Sequence, residues 1–102
     1  MRRYQPTTLP ALAAVVPDDD VVLAESESEE DEYAALMTAA DLSAGRVAGL
    51  PDGQRRRVVA VFEAGGSELV AVHADTADDA EPDDDLAWYA AQELDSLTDG
   101  IV

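Results

Sequence analysis

The chain has 102 residues, of which 23 are Asp or Glu against six Arg and no Lys, for a net charge of −17. That balance excludes ordinary binding to nucleic acid or to anionic lipid, both of which need a cationic surface. The length suits one acidic domain spanning residues 1–102, and the absence of Cys excludes disulfides and thiolate zinc sites.

Much of the apolar 47% is Ala and Val, with one Phe and one Trp, so the expected core is built of small side chains and is shallow. No apolar run approaches the ~20 residues of a membrane span. Met1, Arg2 and Arg3 lead into Tyr-Gln-Pro rather than an apolar stretch. A signal peptide is therefore not expected, and the expected location is cytoplasmic.

Residues 3–6 read as a short first strand, with Pro6 holding Gln5 extended. Thr7 or Thr8 then caps an Ala-rich helix over residues 9–16, with Pro10 in its first turn. Pro17 and three Asp end it, and residues 21–24 form a second strand. The run ESESEEDE offers Ser26 or Ser28 as the next cap and places its acids at a partly positive helix N-terminus. Tyr33, Leu36, Met37, Ala40, Ala44 and Val47 recur at helical spacing, which predicts a helix over residues 29–47. Pro51, Asp52 and Gly53 make a turn.

The best-defined stretch is a central antiparallel hairpin, residues 55–64 and 68–76, joined through Gly65 and Gly66. A turn centred there pairs Phe62 with Leu69, Val61 with Val70, Val59 with Val72 and Arg56 with Asp75. Glu63 faces Glu68, a like-charge pair that should splay that end or force a bulge. Both strands are apolar on both faces, as central strands are. The run ADDAEPDDD is a loop. Leu86, Tyr89, Ala90, Leu94 and Leu97 then form one stripe of a final helix ended by Gly100. The expected fold is α+β, a small two-layer domain of approximate order β-α-β-α-β-β-α.

Five blocks in order (RRYQPTTLPAL, EYAALMTAA, RRRVVAVFEA, VAVHAD and LAWYAAQEL) resemble a small uncharacterised family of actinobacterial proteins. That family opens with a Tyr-x-Pro-x-Thr-Leu segment and closes with a Trp-Tyr-Ala-x-Gln-Glu helix. The resemblance implies a fold and a source, and no activity. The lack of Lys with abundant Ala, Val, Asp and Arg suits a GC-rich genome.

Candidate chemistry is sparse. His73 is the only His, and a sheet histidine with its ring nitrogens satisfied is more common than an isolated base. The acid runs miss calcium-loop spacing: from Asp75 there is no central Gly, and Leu86 stands where the closing Glu belongs. No nucleophile elbow or phosphate loop is present. Arg55, Arg56 and Arg57 read mainly as internal counter-charge for Asp75, Asp78 and Asp79. Arg2 and Arg3 join that patch if the first strand pairs nearby. Trp88 falls about 100° off the final helix's stripe, beside Ala91, Gln92 and Asp95, where it either covers the sheet edge or anchors a partner.

The function expected from these features is a small acidic protein-interaction module that binds a basic protein surface. Mimicry of nucleic acid is its sharpest form. Its candidate binding residues are Trp88, Asp83, Asp84 and Asp85, with Glu29, Glu30, Asp31 and Glu32. No catalytic residue, metal or cofactor is assigned. One alternative is an enzyme or small-ligand binder using His73 and nearby carboxylates. Another is that the acidity only adapts the protein to salt or keeps it soluble.

Overall fold

The computed structural model describes residues 2–63, 65, 68–94 and 97. In chain order it holds β1 (Arg3–Thr7), a 3-10 turn (Leu12–Ala14), β2 (Val22–Leu23), α1 (Glu29–Val47), β3 (Val58–Phe62), β4 (Leu69–Ala74), β5 (Ala87–Ala90) and a second 3-10 turn (Ala91–Glu93). The strands form one antiparallel sheet in the order β2-β1-β3-β4-β5, so the domain is α+β as expected. Gly66, Asp95, Gly100 and residues 101–102 lie outside the described residues.

The helix α1 occupies the expected span. Ser28 caps it: its hydroxyl accepts from the Asp31 amide at 3.2 Å, and Ser26 donates to the Asp31 carboxylate at 2.6 Å. Four acids fill the first turn and Arg46 sits in the last, an arrangement that complements the helix dipole. Ala35, Ala39 and Ala40 are buried on Tyr4, Val59, Val61, Ala71 and Leu86, and these small side chains let the helix approach the sheet closely. Ser43 fastens the contact. Its hydroxyl donates to Thr7 O at 2.7 Å and accepts from Val58 N–H at 2.8 Å.

The opposite face buries Val58, Ala60, Phe62, Val72 and Ala74 under Leu9 and Leu12, with Tyr89, Leu94 and Leu97 packed against them. Every residue of β3 is thus buried, because it has a cover on each side.

Sequence and structure part at four places. Residues 9–16 make a single 3-10 turn rather than a helix. Pro17 closes the short segment and Val15 and Val16 are β-branched, so there is little room for α-helix. The looser turn still drops Leu9 and Leu12 onto the sheet.

The expected final helix begins instead as strand β5, paired with β4 from Ala74↔Ala87 to Ala71↔Ala90. Its helical stripe divides, with Leu86 entering the α1-side core and Tyr89, Leu94 and Leu97 the other.

The hairpin carries the expected irregularity near its tip, where the register shifts between Val61 and Phe62. Phe62 pairs with Leu69, but beyond the shift Val61 meets Ala71 and Val59 meets His73. Asp75 accordingly meets Arg57 rather than Arg56. Finally, antiparallel pairing of β1 with β3 sets Arg3 against Phe62. Arg2 and Arg3 therefore lie by Glu63 at the tip, at the other end of β3 from the Arg55 to Arg57 run.

Candidate functional site

The site grows from the loop between β4 and β5. Asp75 and Arg57 form a buried ion pair, Nε to Oδ2 at 2.7 Å and Nη2 to Oδ1 at 2.9 Å, with side-chain exposures of 3% and 6%. Asp75 also accepts from the Arg57 amide at 3.0 Å. The guanidinium then reaches into the loop and donates to Pro82 O and to Asp84 O, each at 2.9 Å. The Asp75 hydrogen bond raises the Arg57 pKa above its ordinary value against the opposing effect of burial. One arginine therefore pins the acidic loop to the sheet, over a cleft of about 240 Å³ that Arg57 and Asp75 line together with Asp41 and Asp78.

At the far end of the loop, Tyr33 of α1 donates its hydroxyl to Asp85 at 2.8 Å. This hydrogen bond is the main reason the Tyr33 phenol lies above its ordinary 10.0, followed by desolvation and the charges of Asp85 and Asp83. Glu29 and Glu30 precede Tyr33 by four and three residues and share its helical face. The fold thereby gathers Glu29, Glu30, Asp83 and Asp85, all exposed, around one tyrosine.

The other candidates are drawn elsewhere. Asp31 belongs to the Ser26–Ser28 cap, Glu32 lines a cleft with Arg2, Glu27 and Glu63, and Asp84 accepts from the Glu81 amide. Among the described residues, Glu29, Glu30, Asp83 and Asp85 form no ion pair. Five of the six arginines hold other groups: Arg2 at the Glu63 carboxylate, Arg3 at the Glu63 backbone carbonyl, Arg46 at Asp18 and Asp20, Arg55 at Asp52 and Arg57 at Asp75, while the Nε of Arg56 is buried without a partner among the described residues. Among the described residues, no arginine is paired with a carboxylate of the Tyr33 patch.

Trp88 follows the loop on edge strand β5, 60% exposed. It stands off the core as expected, but by strand alternation rather than by its angle on a helix. Directly across from it is His73, half-buried, whose other neighbour across the sheet is Val59. Cross-strand partners share a face, so Trp88 and His73 lie on the α1 side of the sheet, while α1 itself packs chiefly on β1, β3 and β2. Leu69, four residues before His73, packs on the other face because of the bulge. Burial first, and the Arg2 charge second, lower the His73 pKa below its ordinary 6.5. Among the described residues, no group of three or more His, Asp or Glu is placed to hold a metal ion.

Tyr33 is the site residue that sequence reasoning missed; Arg57 was expected as counter-charge to Asp75, but not as the residue that holds the acidic loop. An aromatic one turn after an acidic cap was the available signal for Tyr33. For Arg57 the signal was strand alternation within the Arg run, obscured by the register shift.

These features define a small antiparallel α+β domain with an acidic patch and an exposed aromatic residue at one sheet edge. No protein-family model, curated protein or solved structure matches the chain. Among the described residues, no helix is long and apolar enough to cross a membrane.

Proposed function

We propose that the protein is an acidic interaction module that docks onto a basic protein surface through Trp88 and the patch of Glu29, Glu30, Tyr33, Asp83 and Asp85. The observation that carries this reading is the Tyr33–Asp85 hydrogen bond, which joins two acidic runs 52 residues apart into one acidic surface next to an exposed Trp. Scattered acids would serve solubility equally well. Here Arg2, Arg46, Arg55 and Arg57 pair with other acids, while these carboxylates form no ion pair among the described residues. An exposed Trp at the margin of such a patch supplies apolar area that charge alone lacks. The cytoplasmic setting and the actinobacterial kinship expected from the sequence belong to the same proposal.

The test is a pull-down from extracts of the native host at moderate and at high salt. The wild-type chain is compared with a variant carrying Asp83→Asn, Asp85→Asn and Trp88→Ala. The expected result is a basic partner retained by the wild type at moderate salt, released at high salt and not retained by the variant. Release by added double-stranded DNA would mark the partner as a nucleic-acid binder and this chain as a mimic. Capture of no basic partner at either salt would overturn the reading.

A further inference from the structure

The outer edge of β5 has no partner strand among the described residues. Which of its backbone groups face outward follows from the ladder. Asp75 N–H donates to Arg57 O at 3.0 Å, so residues 57 and 75 occupy a hydrogen-bonding position. Antiparallel alternation then turns Ala71 and His73 toward β3, and Val72 and Ala74 toward β5. Ala87 and Tyr89 bond back to β4, which leaves the N–H and C=O of Trp88 and Ala90 facing away from the sheet. The Ala90 amide agrees, since it donates to Glu93 Oε1 at 3.0 Å rather than to a strand.

Proteins commonly protect such an edge with Pro, with charge on the strand or with a bulge. Ala-Trp-Tyr-Ala carries none of these, and β4 and β5 pair without a register shift. The opposite edge, β2, is only two residues long. The open edge is therefore at β5, and its free donor and acceptor belong to the most exposed aromatic residue at that edge. Glu93 already holds the Ala90 amide, so pairing is directed from Trp88 toward the Asp83 to Asp85 loop.

Resting on the interaction reading above, we infer that the edge of β5 accepts an extended basic peptide segment as an added strand, paired about Trp88. Main-chain bonds to Trp88 supply the pairing, as in other strand-addition complexes. One side of the added strand sets Arg or Lys over the indole face, and its end reaches Asp83 and Asp85. Charge selects this occupant over a second copy of the chain. Self-pairing of β5 would bring together two chains of net charge −17.

The probe is a heptapeptide of alternating Arg and Val. Its control has equal charge and every internal amide N-methylated. Both are titrated into the 15N-labelled full chain at low salt. The expected result is binding of the unmodified peptide at least tenfold tighter than the control, with slowed exchange of the Trp88 amide on binding. Equal affinities, with shifts confined to Glu29, Glu30, Asp83 and Asp85, would overturn strand addition and leave the acidic-patch reading standing. Failure of both peptides to bind at low salt would overturn both. A Trp88 amide already protected in the dilute free chain would show the edge taken by the chain itself. Protection that grows with protein concentration would show it taken by a second copy. Either result overturns the inference.

Discussion

Replacing Arg57 with Met removes the fastening of the acidic loop while keeping most of the apolar stem. It leaves Asp75, whose side chain is only 3% exposed, without its cation, and it orphans Pro82 O and Asp84 O. Removing one member of a buried ion pair costs about 3–5 kcal/mol. Against a total stability of roughly 5–15 kcal/mol for a domain of this size, that is a large share. Urea unfolding followed by Trp fluorescence should show the midpoint fall accordingly. The double variant Arg57→Met with Asp75→Leu should recover stability to within about 2 kcal/mol of wild type, since an apolar replacement of a buried pair is often near neutral. The loop would remain unpinned, so amides at Asp83, Asp84 and Asp85 should exchange faster in both variants. A loss below about 1 kcal/mol for Arg57→Met, or unchanged loop exchange in the double variant, would refute the fastening role.

Three further outcomes follow from the same geometry. Ser43→Ala should lower stability by about 1–3 kcal/mol, measured by urea unfolding, because it leaves buried Val58 N–H and Thr7 O unsatisfied. His73 should titrate below its ordinary 6.5 by NMR despite the acidic chain. Its folded value is depressed, so the unfolded state binds the proton more tightly. Compared with His73→Gln, the wild type should therefore lose stability as pH falls through 6.5 toward the folded value. A His73 titration at or above 6.5 would contradict the burial that lowers it. Asp85→Asn should return the Tyr33 phenol toward its ordinary 10.0, read by ultraviolet titration, and unchanged titration would mean that the two acidic runs are not joined there.

The helix α1 was legible because several local signals agree: a Ser cap, acids in the first turn and a sustained 3.6-residue pattern. The hairpin was legible as an element, and the Glu63–Glu68 repulsion marked the irregular end. Its register beyond the bulge was not, because one extra residue in β4 exchanges every cross-strand partner. That exchange turned the Arg56–Asp75 expectation into Arg57–Asp75.

The segment around Trp88 satisfies both a helical stripe and a strand alternation. Pairing with β4 decides between them, and no local signal reports that pairing. Of the candidate site, Trp88, Glu29, Glu30, Asp83 and Asp85 were legible by exposure and charge. The Tyr33 bridge joins residues distant in the chain and could be found only in the fold.

The central claim is that Trp88 and the two acidic runs act as one interface. Hydrogen–deuterium exchange of the full chain, with and without the partner recovered from host extracts, tests it most directly. The predicted result is protection of residues 83–90 and of the first turn of α1 together, lost in parallel as salt is raised. Protection confined to β2 or to the Leu12–Ala14 turn, with residues 83–90 unchanged, would contradict it.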